Sequence, residues 1–259
     1  MNIVTGEIKR TLVEVEKMEE KRVVDLPEGR IFVDVNFGPG CQFGDENTFI
    51  NCVVGCQSTF GDGNIFNERC RIGESSKFGN RTKLGDECKV EQNCTFGDYC
   101  VFGKGCQFDH GLSFGEWNTF GEQCRFGSLN TFKQGCEFGN KVGFLNQCHF
   151  GDNSVFGNSA MLGKECQVGD GGYFGQGTTV GEESRFGKRN RFGDEAIFRS
   201  GCTFQENGEF GSICEFDENC TFRGRQTFGN DPLYGSGCRV FNGDEWKVFP
   251  VSRFSGAKS

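Results

Sequence analysis

The chain has 259 residues, enough for one long domain or two short ones, and a formal net charge of -8 from 36 acids against 28 Lys and Arg. The two signs are interspersed, so no polycationic tract offers itself to nucleic acid, and no 18-residue apolar run is present to cross a membrane as a helix. Thirty Phe beside only 3 Tyr and 2 Trp, together with 41 Gly and 16 Cys, depart so far from ordinary usage that an internal repeat is expected.

The first segment, residues 1–30, lies outside any repeat. MNIVTGEIKRTLVEVEKMEEK has no apolar core of the kind a signal peptide needs, which points to a cytoplasmic protein. TLVEVEKMEEKRVVDL and PEGRIFVDV read as charged, β-rich strands with turns near Lys17 and Pro27–Gly29, suited to covering the open edges of a stack of parallel strands.

From Val54 to Val240 a period of six runs without insertion. All 32 positions on this grid are apolar and 23 of them are Phe. Gly follows in most units, and a small residue or Cys stands two positions before, giving the unit C/S/N-x-F-G-x-x. Upstream, Ile31, Phe37, Phe43 and Phe49 keep the period but sit one residue out of phase, so a deletion within INCVV (50–54) is expected.

A period of six fits neither the strand's two nor the helix's 3.6; it fits a short strand closed by a tight corner. In C-x-F the first and third side chains share the inner face and the middle one points outward. Gly removes the Cβ that would clash where the chain turns, and a polar pair such as Asp-Glu completes the corner. Three units make one triangular coil of 18 residues, and about 11 coils in parallel register, ~4.8 Å apart, make an all-β prism on the order of 50 Å long. Columns at spacing 18, such as Phe102, Phe120, Phe138 and Phe156, predict stacked rings inside.

These residues resemble the hexapeptide-repeat family, over roughly residues 31–241. The resemblance implies a single-stranded parallel β-helix coiled left-handedly, since parallel crossovers are otherwise right-handed. One departure stands out: Phe occupies sites where the family mostly has Ile, Leu or Val, which implies a wider or differently packed interior. Beyond the repeat, residues 242–259 are expected to form a C-terminal cap and tail. Asn242–Gly243 breaks the pattern, EWKVFPVSRF offers Trp246 and Phe249 to the last coil, Pro250 blocks further pairing, and SGAKS is expected to be disordered.

The cysteines invite a chemical reading. CTFGDYCVFGKGCQFDHG (94–111) looks like a ligand set, yet Cys94, Cys100 and Cys106 fall on three different walls of the prism, so no zinc site or other metal is expected. Only Cys56 lies off the small inward slot; the others alternate there with Ser58, Asn64, Thr82 and Ala160 as small fillers. Cys52, Cys70, Cys88, Cys106 and Cys124 form one column, and a row of five cannot pair completely, which favours reduced thiols.

Many proteins of the resembled family are acyltransferases that use a histidine base and acyl-CoA, and others are zinc carbonic anhydrases with three histidines. With only His110 and His149, the zinc site is excluded. His110 is the weak catalytic candidate, with Glu91 or Asp109 to orient it. No insertion interrupts the units to complete such a site, so a non-enzymatic rod is the leading expectation, with no cofactor. Its apolar outward residues Val101, Val155, Tyr173, Met161 and Ile197 are the candidate surface for a protein partner or a second copy. A structural component fits, as does an inhibitor that presents acidic corners such as Asp86–Glu87 or Asp194–Glu195; a virus- or phage-encoded protein would suit either role. The alternatives are the acyltransferase and an extracellular fibre or spike module. A row of Thr59, Thr95, Thr131, Thr203 and Thr221 suggests ice binding, but Lys77, His149, Arg185 and Arg239 interrupt it.

Overall fold

The structure, a computed structural model, describes residues 28–241 and 243–251. The expected N-terminal cap therefore lies almost wholly outside the described residues, as does SGAKS. Within them are 37 short strands and no helix. Strands β1 (Ile31–Val33), β2 (Asn36–Phe37) and β3 (Gln42–Phe43) each begin one wall, and every third strand thereafter joins the same wall. Two walls hold 12 strands and the third holds 13. The result is a β-solenoid of the left-handed type, with about 12 coils of ~18 residues, one coil more than expected.

The first coil forms where the out-of-phase residues 31–49 are expected to continue the repeat, but its phase differs from that expectation. Ile31 is only partly buried, whereas Phe32 is 0% exposed, so the inward series runs Phe32, Phe37, Phe43, Phe49, Val54. Two corners are thus one residue shorter than the rest, and strand partners there are 17 apart (Ile31↔Thr48, Asn36↔Val53) instead of 18 (Lys83↔Val101). The deletion expected within 50–54 is one of these; the short corner at Asp34 is the other. Both turn through a single positive-φ residue, Asp34 (φ 56) and Asn51 (φ 49), whose side chains share a 2.7 Å hydrogen bond.

Three Phe per coil fit because they form a pinwheel. Within one coil Phe102, Phe108 and Phe114 meet edge to face, with centroids 5.2–5.5 Å apart and interplanar angles of 84–90°. Along the axis each ring lies parallel to the next: Phe102 to Phe120 at 4.6 Å, Phe120 to Phe138 at 4.9 Å, Phe138 to Phe156 at 4.9 Å. The strand spacing of ~4.8 Å is close to the distance at which offset rings attract, so backbone pairing and ring stacking reinforce each other.

The glycine that follows most rings has a sharper role than a turn. A Cβ on Gly103 would lie 2.3 Å from Asp86 Oδ1 and 2.6 Å from both the Asp86 nitrogen and the Gly85 carbonyl carbon of the coil below. The residue that turns the chain stands two positions later in the left-handed region, as at Glu87 (φ 58), Tyr99 (φ 57) or Gly105 (φ 69). Between them, an Asp or Asn accepts the backbone N–H of its counterpart one coil on. Asp62 accepts from Asn80, Asn80 from Asp98 and Asp98 from Glu116, at 2.7–2.8 Å. Asp98→Ala should therefore cost about 1 kcal/mol in urea denaturation while Asp98→Asn costs little, since Asn80 already does the same work.

At the C-terminal end β37 (Trp246–Val248) turns back antiparallel on β36 (Arg239–Phe241). Phe249 then plugs the interior, stacked 4.2 Å on Tyr234 and edge-on to Phe222 and Phe228. Trp246 does not share that task. It lies on the outer face against Phe241, with the Arg239 guanidinium 4.6 Å from its ring.

Candidate functional surfaces

The thiols occupy the inward slot for a reason beyond size. Cys88, Cys106 and Cys124 each donate their S–H to a corner carbonyl of the preceding coil, those of Asn67, Gly85 and Gly103, all at 3.2 Å. Asn118 in the same slot donates to Gly97 and Gly115 and accepts the Cys100 N–H at 2.6 Å. The slot thus favours small side chains that donate a hydrogen bond, Cys, Ser, Thr and Asn, although Ala160, Ala196, Leu112 and Val142 fill it without one. Gln226, an exception in size, satisfies the same groups from further away, donating to Gln205 and Arg223 and accepting from Gly208. Among the described residues no buried side-chain nitrogen or oxygen lacks a partner.

All 16 cysteines are present as thiols, 15 of them buried, and Cys56 alone is half-exposed on a corner. Cys94, Cys100 and Cys106 do sit on separate walls, and no group of three or more metal-binding side chains is present among the described residues. Burial pushes Cys94, Cys136 and Cys214 from 9.0 up to about 11. A thiol raised in this way holds its proton in the fold after the unfolded chain has lost it. Stability from these groups is complete below pH 9 and is lost as pH climbs from 9 to 11, which denaturation at stepped pH will show. Native thiol titration should find one fast group, Cys56, and the remainder only after unfolding.

His110 stands at a corner, 49% exposed, with Nδ1 2.8 Å from Asp109 Oδ1. Of the two acids expected to orient it, Asp109 is the partner. His149 points outward on its wall, level with Thr131 and Gln167. The candidate apolar residues divide between two walls. Val155 and Tyr173 are direct neighbours on one, with Val101 three coils away beyond Thr119 and Glu137. Met161 and Ile197 lie on another, separated by Thr179. Only Val155 with Tyr173 forms a continuous apolar contact area, 38% and 51% exposed.

Sequence reading missed a division of charge between walls and corners. Among the described residues the outward strand positions carry only three acids, Glu137, Glu209 and Glu215, and many cations. Arg71, Lys77, Lys83 and Lys89 are successive outward positions and encircle the rod in one turn. The corners hold the acids, and several are already engaged: Asp86 and Asp194 accept the N–H of Lys104 and Ser212, and Glu87 pairs with Arg69 at 3.0 Å. The signal was legible once outward residues were read in columns instead of summed as net charge.

The wall that begins with β2 carries an open depression over part of its length, from Val53 to Met161. A trough of about 1920 Å³ runs along it past Val53, Arg71, Lys89, Gln107, Arg125, Gly143 and Met161. Gly143 leaves a gap in the row, and the Met161 methyl reaches toward it, 3.8 Å from where a Cβ would stand. No protein family, curated protein or solved structure matches this chain.

Proposed function

We propose that the chain is a Phe-rich variant of the hexapeptide-repeat solenoids and serves as a non-catalytic, cytoplasmic rod whose walls bind or assemble protein. What carries this reading is the unbroken register: from Lys83↔Val101 to Glu215↔Leu233 every outward residue lies level with its counterpart 18 positions on, so each wall is a fixed array. A rigid array needs no ordering on contact, which lowers the cost of binding. Val155 with Tyr173 is the apolar anchor on one wall, and Met161 and Ile197 contribute to another. Tyr173→Arg should abolish capture of a partner, or self-association seen by light scattering, without lowering the melting temperature; unchanged binding would remove Tyr173 from the surface.

The acyltransferase is the second reading, favoured by one observation, the His110–Asp109 pair in which Asp109 fixes the imidazole by its Nδ1. On that reading acetyl-CoA at saturation raises the melting temperature and His110→Ala abolishes transfer. The rod reading predicts no stabilisation by acetyl-CoA and none of that dependence on His110.

A further inference from the structure

The trough on the wall that begins with β2 holds a row of cations with no partners of their own. Arg71, Lys89 and Arg125 make no ion pair and no side-chain hydrogen bond among the described residues. Arg71 and Lys89 are register partners on adjacent strands, so two cationic side chains leave the same wall side by side from backbones ~4.8 Å apart. Like charges placed so are destabilising, and nothing in the fold requires either of them, because both point away from the core. An anionic ligand lying over the row would turn this cost into binding energy.

We propose that the trough is the docking site for an extended acidic segment of a partner protein. The inference rests on the protein-binding reading and names the surface and the partner's chemistry. From Val53 to Met161 the row covers six strand steps, about 29 Å, which an extended chain spans in about nine residues. The ends are apolar, with Val53 at one and Leu145 and Met161 at the other, the last two about 60% and 58% exposed. The cations lie between, interrupted by the neutral Gln107. One rim carries Glu74, Glu91 and Asp109 and the other Lys141. A nucleic acid strand, with a phosphate at every step, would set part of its charge against the acidic rim. A peptide whose acids are spaced among neutral residues, with an apolar side chain at an end, meets cations and apolar surface alike.

The test uses the full-length protein and a displayed library of random dodecapeptides, with oligothymidylate as a competing polyanion. The expected result is enrichment of acidic peptides carrying an apolar residue near one end. Their affinity should fall at least tenfold at 0.5 M salt and in the triple variant R71Q/K89Q/R125Q, whose circular dichroism and melting temperature match or exceed those of the parent. Peptides that bind equally well to the triple variant would overturn the trough while leaving a protein-binding rod intact on another wall. Tighter binding of oligothymidylate than of any peptide, or no enrichment at all, would overturn the proposal outright. A fall in melting temperature on Lys89→Gln alone would also overturn it, by giving the cation a structural role.

Discussion

Phe120→Ala should destabilise the protein by about 3–5 kcal/mol, read as a shift of the urea midpoint at unchanged slope. Phe120 is 1% exposed and sits between Phe102 and Phe138 in its ladder, at 4.6 and 4.9 Å. It also meets Phe114 and Phe126 edge-on at 5.1 and 5.2 Å, so truncation removes ring contacts along the axis and across the coil. The walls cannot close the resulting hole, because their strands are held to both neighbours by parallel pairing. Phe120→Leu keeps most of the volume and should cost less, about 1–2 kcal/mol. In a rod where each coil touches only its neighbours, the loss falls on the middle coils.

Two glycines at one corner of the chain give the second large effect, and its value lies in the contrast. Gly103→Ala places a Cβ 2.6 Å from backbone atoms of Asp86 and Gly85, which cannot move without parting two coils. The expected cost is about 2–4 kcal/mol, the range of overpacking at a backbone contact. Gly105→Asn, two residues on, should cost less than about 1 kcal/mol. There φ is +69, the nearest atom to a Cβ is the flexible Glu87 Cγ at 3.9 Å, and Glu87, Gln123 and Lys141 already occupy the left-handed region at equivalent corners. Thermal unfolding of the two variants separates a glycine needed for close approach from one that is merely convenient for turning.

That contrast also marks what the sequence could and could not disclose. The period of six, the inward Phe and the outward middle residue follow from alternation alone, and the ladders of Phe102 through Phe156 stand where spacing 18 puts them. Which corner residue takes positive φ is hidden, because Glu87, Tyr99 and Trp117 carry no conformational signature, while the conspicuous Gly103 is there for a contact between coils. The phase of the first coil is ambiguous in the sequence because Ile31 and Phe32 are both apolar and only packing distinguishes them. Cysteine looks like a small filler because an S–H donor to a carbonyl 21 residues back cannot be seen in a linear chain. The cationic row Arg71, Lys89 and Arg125 is present in the columns but vanishes into a net charge of -8.

Rigidity of the walls is the central claim, since both the rod and the trough depend on surfaces that do not rearrange. Native-state hydrogen exchange followed amide by amide tests it most directly. In each unit the outward residue, the residue after the ring and the positive-φ residue donate to a neighbouring coil, as Thr119 does to Cys100, Gly121 to Phe102 and Gln123 to Asn140. Slow exchange at these three positions, unit after unit from the second coil to the eleventh, is the predicted result. A fast-exchanging run through several consecutive units of the middle coils would contradict it, since such a segment would be a mobile flap and the uninterrupted rod would be wrong.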